Sequence, residues 1–318
     1  MSKVRVTLPA IALCILWMTG AASAQTISLG EAVAEWAAAC GADVEKSCSG
    51  MNPGAPGFAA CIQQNGSPTC QAATSAFNAN LQARYAAQAE APNICRTDVQ
   101  RFCSNFNEGQ ARILRCLMRP DNFRAASPMC KNTLEAAGWL DTVSIKSNSR
   151  VAQVADTIES LGRTAQKVGI DTNAIRADIE ARIKAEGDVD APQGATELDV
   201  LKQLPNFIVQ VDFFLDSDVV KPNSWVTVGR MADALRHPLL AGNRFLIVGH
   251  TDITGSRSHN LGLSDRRAKA FEQILESVFQ IPADRLLAVG VGEEQLLPNI
   301  PADDPRNRRV ELINIGPI

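Results

Sequence analysis

The stretch GHTDITGSRSHNLGLSDRRA, Gly249–Ala268, decides the reading of this chain, together with NRRVEL at Asn307–Leu312. The residues before it, RFLIV at Arg244–Val248, are apolar and β-branched and run into glycine, the pattern of a buried strand. A polar loop follows, and then an apolar helical periodicity through Ala268, Phe271, Ile274, Leu275 and Val278. Ser264 suits an N-cap there, and Asp265 suits a first turn. Arg266 and Arg267 do not, because cations in a first turn oppose the macrodipole by roughly 0.3–1 kcal/mol each. An anionic ligand group is one way to offset that cost. An acid and a base so placed are suited to a small zwitterion.

Working outward, Phe207–Phe214 reads as a strand broken by Gln210 and Asp212. Pro222 opens a helix carrying Trp225, Val228, Met231, Ala232 and Leu235, and Pro238 stops it. Further strands are expected at Arg285–Val289 and Arg309–Ile315. Helices alternating with strands predict a two-layer α/β sandwich with helices on one face of a mixed sheet.

The motif resembles the signature of the OmpA-like peptidoglycan-binding domain, GHTDxxGxxxYNxxLSxxRA followed by NRRV, over roughly Leu201–Ile318. That resemblance implies that Asp252 and Arg267 grip the diaminopimelate of the peptidoglycan stem peptide, with Asn260, Leu263 and Arg309 at matching site positions. The chemistry agrees: a carboxylate accepts from an ammonium, and a guanidinium holds a carboxylate with two parallel bonds. His259 stands where the family has tyrosine. Arg266 and Arg308 read as solvated or structural. An isolated Asp and Arg would be an ordinary surface pair; the complete motif favours binding.

Residues 1–24 read as a secretory leader, with Lys3 and Arg5, an apolar run from Leu8 to Gly20, and Ala22-Ser23-Ala24 before Gln25. The run falls short of the roughly 20 residues of a membrane span. Cys14 lies inside it behind Leu13, too large a residue for a lipobox. Loss of Lys3 and Arg5 takes the formal net charge from −3 to −5, which argues against a nucleic-acid partner. No ten-residue alternating runs of a transmembrane barrel occur.

Of nine cysteines, eight fall between Cys40 and Cys130. They form two copies of C-x-x-D-V-x-x-x-C, at Cys40–Cys48 and Cys95–Cys103, each followed after twelve residues by Cys61 or Cys116, and then by Cys70 or Cys130. The repeat resembles that of the Golgi cysteine-rich glycoprotein family, most closely around RILRCL, Arg112–Leu117. Two cysteines eight positions apart on a helix are about 12 Å apart, beyond the roughly 4.4–6.8 Å between the Cα atoms of a disulfide. They lie near one face, so a helix folded back antiparallel meets them in nested order. Among the three connectivities open to each copy, this predicts Cys40–Cys70 with Cys48–Cys61, and Cys95–Cys130 with Cys103–Cys116. Zinc chemistry would want histidine partners, yet His237, His250 and His259 all fall in the C-terminal part, and no C-x-x-C offers redox chemistry.

A narrow seam, Val151, Val154, Ile158, Leu161, Ala165 and Val168, ends at Gly169, and Thr172 caps a second helix with Ile175, Ile179 and Ile183. This is either an intramolecular hairpin or a dimer seam. The expected order is leader 1–24, cysteine-rich helical region 25–142, helical connector 143–186, flexible linker 187–200 and OmpA-like domain 201–318: an α+β chain of disulfide-stapled helical hairpins followed by an α/β sandwich. The function expected is a non-enzymatic, periplasmic wall anchor without metal or cofactor, whose cysteine-rich part meets an envelope partner and through a partner reaches the outer membrane. The alternatives are a wall enzyme and an inner-membrane, signal-anchored protein. For the enzyme, no motif places a nucleophile near His250.

Overall fold

The computed structural model describes residues 26–105, 112–140, 149–162, 167–185 and 197–318. The leader and most of the expected linker lie outside these residues. The first cysteine copy builds α1 (Leu29–Ser47), α2 (Phe58–Asn65) and α3 (Pro68–Ile94); the second builds α4 (Arg96–Cys103), α5 (Arg112–Leu117), α6 (Pro120–Ala125) and α7 (Pro128–Ala136). Then come α8 (Ser149–Leu161), α9 (Thr172–Lys184), α10 (Glu197–Leu201), β1 (Asn206–Val209), α11 (Pro222–Arg236), α12 (Pro238–Ala241), β2 (Asn243–Gly249), α13 (Arg257–Ser277), β3 (Leu286–Gly290) and β4 (Val310–Pro317).

Four disulfides, Cys40–Cys70, Cys48–Cys61, Cys95–Cys130 and Cys103–Cys116, nest within the two copies. Each copy is tied a second way. Asp43 accepts from the backbone N–H of Ser67 at 2.9 Å and its hydroxyl at 2.7 Å. Asp98 does the same for Ser127 at 3.0 and 2.7 Å. Those serines cap α3 and α7 and accept from the N–H of Cys70 and Cys130, so a Ser-Pro-x-Cys unit closes each copy.

The sheet is mixed, in the order β1-β4-β2-β3, with β1 and β2 antiparallel to β4 and β2 parallel to β3. β2 is apolar on both faces. Phe245 and Ile247 pack with α11 and α13, whereas Leu246 and Val248 pack with Ile175 and Ile179 of α9 and Leu198 and Leu201 of α10. The expectation of helices on one face is corrected on this point: a strand hydrophobic on both sides needs cover on both. The connector supplies it. α8 lies on α11, and the side-chain amide of Asn314 donates to the carbonyl of Leu161 at 2.6 Å. Ile158 and Leu161 of the first seam and Ile175 and Ile179 of the second are buried within the chain, Ala165 lies outside the described residues, and Asp171 rather than Thr172 caps α9.

The expected strand at Phe207–Phe214 ends at Val209. Beyond it the N–H of Asp212 donates to the Ser224 hydroxyl at 2.8 Å, and its carbonyl accepts from Lys221 N–H, so the polar breaks in the pattern turn the chain toward α11. Phe213 regains one bridge with Val220, and residues 211–220 form a loop at the end of the sheet.

The cysteine-rich part does not stand apart. α1 packs along α11, and Leu29, Val33 and Trp36 share one core with Trp225, Val228 and Met231. The two helices approach so closely that a Cβ on Gly229 would lie 2.9 Å from the Leu29 carbonyl oxygen and 3.2 Å from the Gly30 Cα. A flexible tether between a wall-holding domain and a free-reaching module is therefore not the arrangement seen for the first copy. The second copy keeps its own small core, including Leu114, Leu117 and Leu134.

Candidate ligand-binding site

β2 ends at Gly249, and the next two residues are tied to neighbouring segments: His250 N–H donates to the Arg309 carbonyl and Thr251 N–H to that of Gly292. Asp252 then turns on itself, Oδ1 accepting from Thr254 N–H at 3.0 Å. Ser256 caps α13 by accepting from His259 N–H. This corrects the sequence reading, because Ser264 lies inside the helix, not at its start. The helix begins earlier because Ser256 offers its first turn a cap of its own. Ser264 is buried; its hydroxyl donates to the Leu261 carbonyl and accepts from Gly292 N–H at 2.8 Å. A Cβ on Gly290 would stand 2.0 Å from Asp265 N, and one on Gly249 would stand 2.2 Å from the Ser264 carbonyl oxygen. Glycine at both strand ends lets the middle of α13 sit directly on them.

Arg266 and Arg267 are consequently mid-helix, and the macrodipole cost reckoned from the sequence does not apply. A different cost replaces it. Arg267 is 7% exposed, its Nε donates to the Ser217 carbonyl at 2.9 Å, and its guanidinium lies 4.9 Å from the centre of the Phe213 ring. Among the described residues its Nη groups have no hydrogen bond and no carboxylate. Burial pushes its pKa down, and Arg308 pushes the same way, against Asp216 and Asp252. A nearly buried cation without a paired anion is expensive by several kcal/mol unless a ligand completes it.

Asn260, Leu263 and Arg267 step by three and four along one face of α13. The Asn260 side-chain amide donates to the Asp252 carbonyl and, at 2.6 Å, to Glu293, fixing the Asp252 turn to the helix. Leu263 is buried beside them. Arg309 brings both Nε and Nη2 to one oxygen of Glu311, Oε1, and donates to the carbonyls of Gln295 and Asn307. None of those partners is Asp252 or Arg267. Arg308 makes the contact instead, pairing with Asp252 Oδ2 while about half of its own side chain remains exposed. Successive residues entering a strand face opposite ways, so one of two adjacent arginines must turn from the site. The sequence could not say which one. Phe213, Ser217 and Glu293 also went unseen, being remote from the motif.

His259 Nε2 donates to the Asp216 carboxylate at 2.8 Å, tying the 211–220 loop to α13 where the family ring would stand. His250 is fully buried with neither ring nitrogen hydrogen-bonded, and burial holds its pKa well below the usual value, with Arg309 adding to the effect. It is a neutral packing residue 3.7 Å from Glu311.

A sequence model of the OmpA family matches residues 213–309. Residues 213–309 form an OmpA-family domain. A cysteine rich repeat model matches residues 68–120, running from the last helix of the first copy into the second. Outer membrane porin F of Pseudomonas aeruginosa is 32% identical over 105 residues, covering 32% of this chain and 29% of the porin. The peptidoglycan-associated lipoprotein of Pseudomonas putida is 38% identical over 105 residues, 31% of this chain and 59% of the lipoprotein. The OmpA-like domain of FopA1 from Francisella tularensis aligns with 20% identity and a TM-score of 0.31, over 35% of this chain and 73% of that one. The chain thus spans about a third of the porin's length and about three fifths of the lipoprotein's. Among the described residues no helix is long and apolar enough to cross a membrane, and no group of His, Cys, Asp or Glu is placed to hold a metal ion.

Proposed function

We propose that this chain binds peptidoglycan non-covalently in the cell envelope by gripping the diaminopimelate of the stem peptide, and so fixes its cysteine-rich helices at the wall. The observation that carries this reading is Arg267, a cation 93% buried that lacks an anion, standing within electrostatic reach of a buried Asp252. Diaminopimelate bears an ammonium and a carboxylate on one carbon, and the two buried groups are complementary to that pair. The carboxylate of the ligand accepts from the Nη groups of Arg267. The ammonium donates to Asp252 and displaces Arg308, whose half-exposed side chain is free to swing outward and take a second carboxylate oxygen. Asn260 holds the Asp252 turn, Leu263 supplies an apolar wall, and Arg309 positions the strand from behind. The relatives named peptidoglycan-associated lipoproteins carry the matching domain, and their name agrees with this ligand class. Paired cysteines suit an oxidising, extracytoplasmic compartment. The expected residue set lacks an activated nucleophile, which favours an anchor over a wall enzyme.

Co-sedimentation with purified diaminopimelate-type sacculi tests the reading. The parent pellets, and Asp252→Ala and Arg267→Ala, with unchanged circular dichroism, stay in solution. A folded parent that stays in solution overturns it.

A further inference from the structure

A cleft of about 600 Å³ opens between the first cysteine copy and the back of the OmpA-family domain, within the roughly 300–1,000 Å³ of small-molecule sites. Its walls come from α1, α2 and α3 on one side and from α11 and the C-terminal end of α13 on the other. Arg267 stands seven residues before Ile274, the first α13 residue to line the cleft, about 10 Å along the helix. The cleft is thus a separate place from the candidate wall site.

The lining is aromatic and aliphatic at depth, with Trp36, Trp225, Phe58, Phe77 and Phe279 prominent. None of the lining residues is charged, in a chain whose charged residues make up 20% of the whole. The two indole N–H groups are already spent, Trp36 on the Thr74 hydroxyl and Trp225 on the Val220 carbonyl. What the depth of the cleft offers a ligand is therefore apolar surface. The rim differs: Gln63, Asn78, Gln82 and Gln280 bring neutral amides that both donate and accept. Interiors pack to crystal density, so an apolar hollow of this size forgoes contacts its walls would otherwise make.

We propose that this cleft binds a neutral lipid-like molecule, its hydrocarbon chain lying among the aromatics and an uncharged hydroxyl- or amide-bearing head at the glutamine rim. The charge pattern selects this occupant. An anionic or cationic head would meet no counter-charge on any wall, whereas amides bond a neutral polar head without desolvating an ion. The cleft forms where the cysteine copy is seated on α11 and α13, so neither part alone has the site.

The test is a titration of the full chain with 1-N-phenylnaphthylamine, a neutral apolar fluorophore, followed by displacement with monopalmitin or palmitate. Expected are saturable fluorescence at one site per chain, displacement by monopalmitin at least tenfold more effective than by palmitate, and at least tenfold weaker binding in Ala59→Trp. Ala59 is exposed on the rim of the cleft, so the added ring fills the hollow without entering the core. A second variant, Gln82→Lys, keeps the fold and narrows the preference for the neutral head over palmitate at least threefold. The proposal fails if folded protein shows no saturable binding, if Ala59→Trp binds as well as the parent, or if palmitate displaces as well as monopalmitin. Sedimentation velocity is run on the same samples: probe binding that disappears as the chain self-associates places a second copy in the cleft, and also overturns the proposal.

Discussion

The guanidinium of Arg84 meets the carboxylate of Asp233 at 2.7 Å with both side chains at least 94% buried, joining α3 of the first cysteine copy to α11 of the OmpA-family domain. Asp233 also accepts from Gly30 N–H, and Arg84 donates to the Ile27 carbonyl, so the pair is bonded on both sides.

Removing one partner strands the other. Asp233→Ala should cost about 3–5 kcal/mol of unfolding free energy, because Arg84 is left charged in the interior. Replacing both residues, Arg84→Met with Asp233→Leu, should cost much less. Urea titration followed by tryptophan fluorescence checks both, and equal losses would show that the pair is not a buried unit.

At Asp252, Arg308→Ala should lower the melting temperature of the ligand-free protein, since the carboxylate loses the cation paired with it. The same variant should gain more from a diaminopimelate-containing muropeptide than the parent does, because the ligand ammonium then replaces what is missing. Thermal shift with and without the muropeptide decides the matter. A ligand-induced shift that vanishes in Arg308→Ala means that Arg308 holds the ligand throughout and does not yield its place.

The pH response includes two opposed groups, beside the buried His250, which acts in the same sense as His237. Burial pushes the His237 pKa down to about 4, with Arg115 adding to it against a backbone hydrogen bond at Trp139. A base with a depressed pKa stabilises the fold while neutral, and that stability is lost as pH falls from 6.5 toward 4. Burial, with Glu276 beside it, raises Glu272 to about 7. An acid with a raised pKa stabilises the fold while protonated, and that is lost as pH rises from 4.5 toward 7. The two slopes oppose one another across the shared window, and Glu272, being only half-buried, is the weaker. Glu272→Gln should therefore steepen the loss of melting temperature between pH 6.5 and 4.5, and His237→Gln should flatten it, leaving the share of His250. Identical profiles for all three proteins would refute the assignment.

Asp98 is buried and holds the cap of α7 by two bonds to Ser127. Asp98→Ala leaves those donors unsatisfied and should cost about 1–3 kcal/mol. Hydrogen exchange resolved by segment should show the loss in α4 and α7, with the sheet protected as before.

The sheet end and its helix were legible because β2 and the motif carry strong local signals: a β-branched run, a glycine close enough to admit a helix, and a fixed spacing to Arg267. The start of α13 was misplaced for an equally local reason. Ser256 and Ser264 are both good caps on paper, and the bond that decides between them comes from Gly292, far along the chain. Arg308 and Arg309 are adjacent and identical in type, so only the strand's facing separates them. The seating of the cysteine copy on α11 was hidden more deeply. Trp225 reads as part of an apolar helix face, and nothing in that face names Trp36, which stands 5.2 Å from it. The shared Asp of each repeat was in view, but its partner was not, because the Ser-Pro-x-Cys unit lies at a different spacing in each copy.

The glycine pair at the crossing of α1 and α11 has a mechanical consequence. Two helices whose backbones touch at Gly30 and Gly229, pinned nearby by a buried ion pair, resist sliding far better than they resist peeling. A pull on the first cysteine copy reaches the sheet as shear across that crossing, with no slack to take up. Whatever holds the sheet end in place thereby sets the height and heading of α1, as a bracket fixes a shelf.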